Sequence, residues 1–420
     1  MLCAVLLAAQ SGLWAQVSNT VGSIGNSPLT QLGVGEVLPE GSSTQQAMGE
    51  AGAALSTGED INLLNPAQLY YNRQVNVEAV LRLGAKMGQS AEGKVRSGRL
   101  SPQLFSIALP IARPLTVAFG IRPYSSIDYR IIQTGITEGT ASEQYSNFFS
   151  GGGSLSQVFL GTGIRLAEGL TVGAQGILWL GTLQRFSDVS VGQNAVAKEV
   201  TSRVTDVQAK LGTAYKFSAR GHKFSVGLVA DLPRQLSTST YVIQRRYNNG
   251  GSLTSQDTLD TQLAGRLQAP QTLRVGFALE RPRRYIVALD IMQDRWAGVQ
   301  TSGSTENLNN TLRAALGTEW IPNANGTNYT SLLRFRAGVY ARQLPYSLQG
   351  TRMNDLGLTL GMGFPVLRKD ARYTRPLINT NLSAGLRQGP GGGAYKEYYV
   401  NFTLGLVLND SQWFVRYKID

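Results

Sequence analysis

The sequence predicts an all-β protein, a transmembrane antiparallel β-barrel of about 14 strands with an N-terminal hatch. Three observations lead there. From about residue 74 onward, apolar and polar residues alternate with period two in segments of roughly ten residues, the signature of strands with two different faces. The connections between these segments alternate in length, long then short, down the chain. Composition completes the argument: only 16% of residues are charged, yet hydrophobic residues reach just 42%, and 48 of 420 residues are glycine. Disorder is disfavoured, because 17 Tyr, 13 Phe and 5 Trp recur throughout. A helical membrane protein is disfavoured too, since no mature segment approaches the ~18–20 consecutive apolar residues that cross a bilayer.

The N-terminus comes first. Residues 2–9 form a short apolar run, and Leu13-Trp14-Ala15 before Gln16 offers a small residue for cleavage, so residues 1–16 read as a secretory signal peptide. The basic residues that usually precede such a run are absent, which points to a start codon placed a few residues late; the alternative is an ordinary buried N-terminal segment. Cys3, the sole cysteine, lies at the start of the apolar run instead of just after it, so a lipoprotein anchor is not expected and the mature chain has no thiol. Residues 17–72 lack period two and form the second unit. Residues 73–420 form the third, the barrel.

Within the barrel, Val75, Val77, Ala79, Leu81 and Leu83 share one face while Asn76, Glu78 and Arg82 share the other. The longest example is Tyr398, Val400, Phe402, Leu404, Leu406 and Leu408 against Asn401, Thr403 and Gly405. Strands are expected to start near residues 74, 103, 114, 155, 170, 204, 223, 271, 284, 311, 331, 355, 377 and 396. Long connections fall at about 85–102, 125–153, 183–203 and 234–270; tight ones are Ile111-Ala112-Arg113-Pro114, Ala167-Glu168-Gly169, Ala219-Arg220-Gly221 and Arg281-Pro282-Arg283. Short periplasmic turns and long external loops are the two ends of an outer-membrane barrel. The turns near 321–330 and 365–376 are longer than this rule prefers.

Charges follow the same split. Arg82, Arg122, Arg130, Arg165, Lys210, Asp231, Asp290, Arg313, Glu319, Arg334, Arg336 and Arg342 lie opposite the apolar stripe, which makes Arg82, Arg122, Arg130, Arg334 and Arg336 candidate lumen-lining residues. On the lipid side an Arg or Lys costs roughly 2–4 kcal/mol at the midplane. A soluble sandwich with a wet polar face is the competing reading. The lumenal Arg residues either hold a ligand carboxylate or form a self-neutralising network with Asp231, Asp290 and Glu319.

No catalytic residue is expected. His222, the single histidine, sits in the turn after Gly221 with no Asp or Ser fixed beside it, and no Cys/His metal spacing exists, so neither metal nor cofactor is expected. The Gly-x-Gly pairs at 161–163 and 361–363 lie inside strands and read as close-packing positions. A net charge of +12 suggests nucleic acid, but the basic residues are split between the lumen face and turns such as Arg281-Pro282-Arg283-Arg284, with no aromatic interleaving. Nucleic acid is therefore not an expected partner.

Residues 17–72 contain Ser43-Thr44-Gln45-Gln46-Ala47-Met48-Gly49-Glu50-Ala51-Gly52-Ala53-Ala54, and later Asp60-Ile61-Asn62-Leu63-Leu64-Asn65-Pro66-Ala67. Small residues permit close backbone packing and Pro66 breaks regular structure, so this is a compact cap inside or below a barrel. The small-residue run ending in Asn65, Pro66 and Ala67 resembles the hatch of the FadL-like long-chain fatty-acid transporter family, fourteen-stranded outer-membrane barrels that include PorV-like proteins of type IX secretion. The resemblance continues at Gly151-Gly152-Gly153-Ser154-Leu155-Ser156-Gln157 and in the ending from Tyr398 to Asp410, then Trp413-Phe414. At 61–64, Ile-Asn-Leu-Leu replaces the family's usual small residues and aromatic.

The resemblance implies an integral protein of a Gram-negative outer membrane that takes up hydrophobic, fatty-acid-like molecules passively through a plugged lumen and releases them sideways to membrane lipid at the third strand. Pro123 is the candidate lateral gate, because proline removes a ladder donor; the alternative places it at the outer rim, where pairing ends. Tyr145, Phe148 and Phe149, in the second long loop, are the candidate external landing site for a hydrophobic ligand, or else part of an aromatic girdle. The second functional reading is a non-transporting barrel subunit or scaffold of an outer-membrane secretion or assembly complex, with other complex proteins as partners.

Overall fold

The computed structural model describes residues 27–410 except 56, 91–92, 137–143, 193, 249–251, 297–307, 349, 367–375 and 390–394. The expected leader over 1–16, Cys3 and Trp413-Phe414 lie outside the described residues. Element β1 (Glu36–Val37) belongs to the N-terminal segment. The wall follows as β2 (Val75–Ser90), β3 (Gly93–Ala112), β4 (Leu115–Ile136), β5 (Gln144–Ala167), β6 (Leu170–Val191), β7 (Asn194–Ala219), β8 (His222–Asp231), β9 (Arg234–Tyr247), β10 (Leu253–Ala269), β11 (Gln271–Arg281), β12 (Tyr285–Arg295), β13 (Thr311–Trp320), β14 (Arg334–Leu348), β15 (Thr351–Pro365), β16 (Leu377–Gln388) and β17 (Tyr395–Asp410).

Two of these wall strands are each cut in two by a proline. β8 and β9 both pair with β7, separated at Pro233, and β10 runs into β11 across Pro270. A proline cannot donate to the ladder, and the two breaks lie side by side, with Ala269 opposite Arg234 and Leu273 opposite Ala230. Asp206 on β7 stitches the break by accepting from Arg234 Nη2 at 2.9 Å and from the Ser237 amide at 3.0 Å. Counting each interrupted pair once leaves fourteen wall strands. Pairing of β17 with β2, from Asp410 opposite Val75 to Tyr395 opposite Ser90, closes the cylinder.

The wall is inside-out relative to a soluble sandwich. On β13, Leu312, Leu316 and Trp320 are exposed while Arg313 and Glu319 are buried; on β17, Val400, Phe402, Leu406 and Leu408 are exposed while Glu397, Asn401, Thr403 and Asn409 are buried. Apolar side chains face out and polar ones face in, which fits a lipid exterior. At the short-turn end, Tyr215, Phe217, Phe224 and Trp320 make an exposed aromatic girdle. The two-residue turn there, Arg220-Gly221, has φ of 51° and 76°, the left-handed geometry that suits tight hairpins.

Nearly all the described residues of the intervals expected as long loops are instead ladder. β5, β6 and β7 run for 24, 22 and 26 residues, whereas β12 and β13 have 11 and 10, and about 9–11 suffice to span a bilayer. One side of the barrel therefore stands well above the lipid band. Above that band a strand no longer needs an apolar outer face, so the backbone ladder persists after period two has faded. The connection after β13, expected as an overlong turn, carries the short helix Tyr329–Leu332.

The N-terminal segment lies inside the cylinder. It contributes a 3-10 turn at Pro28–Gln31, β1, a helix at Ser43–Ala47 and a 3-10 helix at Pro66–Tyr71. Leu29, Leu32 and Val34 pack with Ile127, Leu155, Trp179, Leu183, Leu236, Leu308 and Leu344 to fill the upper lumen. Lower down, wall glycines let backbone meet backbone. A Cβ on Gly163 would lie 2.6 Å from the Pro66 carbonyl, one on Gly276 2.9 Å from Ala53 Cβ, and one on Gly317 2.6 Å from Met48 Cβ.

Candidate functional site

The hatch is held first by its own turns. Asn65 caps the 3-10 helix, its Oδ1 accepting from the Ala67 amide at 3.0 Å, while Pro66 occupies the first helical position, where a missing N–H costs nothing. Asn65 Nδ2 donates to the Ala53 carbonyl at 2.8 Å and to Thr213 of the wall at 3.1 Å. Asn62 does the same within the hatch, donating to the Gly52 and Leu55 carbonyls and accepting from the Leu64 and Asn65 amides. Asn65-Pro66-Ala67 thus joins two hatch segments to each other and to β7.

Buried charge then locks the hatch to the wall. Glu40 meets three cations from three strands: Arg122 on β4 at 2.7 Å, Arg274 on β11 at 3.1 Å, and Lys210 on β7. Glu36 meets Arg387 on β16 at 2.7 Å and Lys86 on β2, and Arg387 also holds Glu397 and Asp355. Glu50 meets Arg313 on β13 at 2.6 Å. In the reverse sense, Asp290 on β12 accepts from the Gly52 and Ala53 amides at 3.0 and 2.9 Å, and Glu78 on β2 accepts from the Ser43 amide at 2.8 Å. Burial alone would raise the Glu36, Glu40 and Glu50 carboxyls, but the facing cations outweigh it, holding Glu36 and Glu40 well below the usual carboxylate range and Glu50 below it. Asp60 is the exception. Its carboxylate oxygens have no hydrogen-bond partner among the described residues, and burial pushes it up despite Arg336 and Arg334.

Of the residues expected in the lumen, Arg122 and Arg336 are buried there, Arg336 against Glu319 at 2.6 Å; Arg334 pairs with hatch Glu59, and Arg82 lines an inner cavity. Arg130 is a correction. A register irregularity between Pro123 and Ser125 reverses the faces of β4, so that Ile127 and Tyr129 point in and Arg130 is exposed on the outside, its guanidinium 5.0 Å from the Phe148 ring. The proposed aromatic landing loop is also corrected: Tyr145, Phe148 and Phe149 belong to strand β5, where Phe149 packs toward the inner core while Phe148 meets Phe186 outside. Adjacent strand residues point to opposite faces, so the three do not form one cluster. His222 bonds the Tyr285 hydroxyl at 2.9 Å through Nε2.

Pro123 stands beside a real gap. Pairing between β3 and β4 stops at Phe105 opposite Ile121, although β3 continues to Gly93 and β4 to Ile136. The freed edge of β4 is taken by the hatch: Glu36 and Val37 pair with Ser126 and Ser125, and the Leu38 amide donates to the Tyr124 carbonyl at 2.8 Å. Inside, between Tyr124, Trp179, Arg274 and Trp296, the lumen keeps a cavity of about 80 Å³.

Sequence reasoning missed Glu36, Glu40 and Glu50. A signal existed: residues 17–72 hold five acids and no base, so a chain of net +12 carries +17 outside the hatch. That opposition of charge marks the hatch as the counter-ion of the lumen.

The BamG family model matches residues 1–420. The chain belongs to the BamG family. No protein of curated function matches its sequence. Among solved structures, this BamG-family chain is similar to a Pseudomonas aeruginosa FadL homologue (TM-score 0.61, 11% identity, covering 89% of this chain and 99% of that one). It is also similar to the toluene transporters TodX of P. putida (0.60, 15%, 88% and 98%) and TbuX of Ralstonia pickettii (0.58, 15%, 88% and 99%). The BamG-family chain thus has the fourteen-stranded, internally plugged fold of FadL-type outer-membrane channels.

Proposed function

We propose that this chain is a non-enzymatic, integral outer-membrane barrel of a Gram-negative bacterium that serves as a subunit of an outer-membrane assembly complex. One observation carries the reading: buried ion pairs from Glu36, Glu40 and Glu50 and close backbone contacts bind the hatch to strands around the lumen, whose centre between Tyr124, Trp179, Arg274 and Trp296 keeps only about 80 Å³. The family's name agrees with an assembly role. On this reading residues 1–16 are a leader, the short turns face the periplasm, and other complex proteins are the partners.

A second reading, passive uptake of hydrophobic small molecules with lateral release, is favoured by the gap between β3 and β4 beside Pro123 and by the similarity to toluene transporters. Depleting the protein in cells separates the two. The subunit reading expects other outer-membrane barrels to fall in abundance while uptake of a labelled hydrophobic compound is unchanged; the reverse pattern overturns it. Purification in mild detergent, with mass spectrometry of proteins and lipids, should return stoichiometric protein partners.

A further inference from the structure

The gap between β3 and β4 opens onto a second cavity, about 400 Å³, that the hatch leaves unfilled. Its floor and rim are apolar, made by Leu104, Phe105 and Ile121, and Phe105 and Ile121 are exposed on the outer face. Leu83 and Leu100, paired beside the gap, are exposed in the same way, so the opening lies within the lipid-facing band.

The cavity's charges do not balance. Lys86 is paired with Glu36 and Arg122 with Glu40. Arg82 and Arg99 also line it, and neither forms an ion pair among the described residues; Arg99 reaches only the Ser126 hydroxyl across the gap. Arg82 lies opposite Ser101 and Arg99 opposite Gly84, so the two are diagonal neighbours on one face of adjacent strands, ~7–8 Å apart. Cations at membrane depth are costly unless an anion reaches them. A carboxylate is satisfied by one bidentate guanidinium, whereas bridging two from different strands suits the larger oxygen set of a phosphate.

We propose that this gap is a binding site for an acylated, phosphate-bearing lipid that enters sideways from the surrounding leaflet. The phosphate sits between Arg82 and Arg99, and an acyl chain lies over Phe105 and Ile121. The site needs no protein partner, so it stands or falls independently of the assembly reading.

The test uses the full-length mature barrel, delipidated in detergent and titrated with phosphatidylglycerol, lipid A, oleate or diacylglycerol, with retained lipid read by native mass spectrometry. One phosphate lipid per barrel is expected, and whichever of the two phosphate lipids is retained better identifies the source. Arg82→Gln with Arg99→Gln should lower retention at least tenfold. Ser101→Trp, which fills the cavity without removing either charge, should do the same in a barrel that keeps its heat-modifiable mobility. Oleate or diacylglycerol retained as well as the phosphate lipids, or variants that retain wild-type amounts, would overturn the proposal.

Discussion

Replacing Glu40 by Gln keeps the side chain's shape and removes one charge. Its three cationic partners stay behind in the lumen, with side-chain exposures of 6% for Arg122, 2% for Lys210 and 4% for Arg274. Stranding a buried charge by removing its partner costs about 3–5 kcal/mol. Glu40 is itself 20% exposed, and Asp231 remains 3.6 Å from Lys210, so the lower end applies, about 3 kcal/mol. The loss falls on the hatch, because the wall ladder does not depend on Glu40. Local opening of the hatch should therefore become roughly 150-fold more frequent. Hydrogen exchange at the Gly52 and Ala53 amides, which donate to Asp290, reads this directly. Adding Lys210→Met to Glu40→Gln should restore part of the protection, since one stranded charge is gone. Exchange in Glu40→Gln within threefold of wild type would refute the idea that this network holds the hatch.

Further outcomes are expected elsewhere in the hatch. Gly338→Val should unseat it, because a Cβ there collides with the Met48 backbone; overpacking costs about 1–3 kcal/mol, and limited proteolysis of the hatch in an intact barrel checks it. Asn65→Ala removes a cap and two buried side-chain bonds, a loss of roughly 2–3 kcal/mol that a lower denaturation midpoint by Trp179 fluorescence should register. Because Glu36, Glu40 and Glu50 are depressed, their stabilisation is fully present above about pH 4.3 and is lost as pH falls through their lower folded values. Hatch protection, corrected for intrinsic exchange, should thus not fall between pH 8 and 5; release between pH 7 and 5 contradicts the assignment. Pro123→Val should leave hydrophobic uptake unchanged, since the neighbouring edge of β4 is already bonded to the hatch, and a fall in uptake favours the gate reading.

How far the sequence was legible depends on what each residue faces. β17 could be read directly, because lipid on one side and lumen on the other impose strict alternation from Tyr398 to Leu408. The upper parts of β5 to β7 could not, since beyond the lipid the ladder tolerates Ser, Thr and Gly on either face. Arg130 was misplaced for a local reason: the irregularity after Pro123 shifts parity by one residue, and periodicity alone does not reveal a bulge. Asn65-Pro66-Ala67 was legible as a stop, and its structural role is to cap and tether. The ion locks were only half visible, because the acids that meet Arg122, Lys210, Arg313 and Arg334 lie far back in the chain, in a segment with no period.

The proposed assembly role requires that this barrel work with its hatch closed. Val37→Cys with Ser125→Cys places two thiols on directly opposed residues of the hatch strand and β4, whose Cα atoms as an antiparallel pair lie about 4.5–5.5 Å apart, inside the ~4.4–6.8 Å of a disulfide, in a chain whose one native cysteine is Cys3. With the hatch covalently tied to the wall, cells should assemble their other outer-membrane barrels at the wild-type level. Assembly that fails on oxidation and recovers on adding reductant would contradict the account.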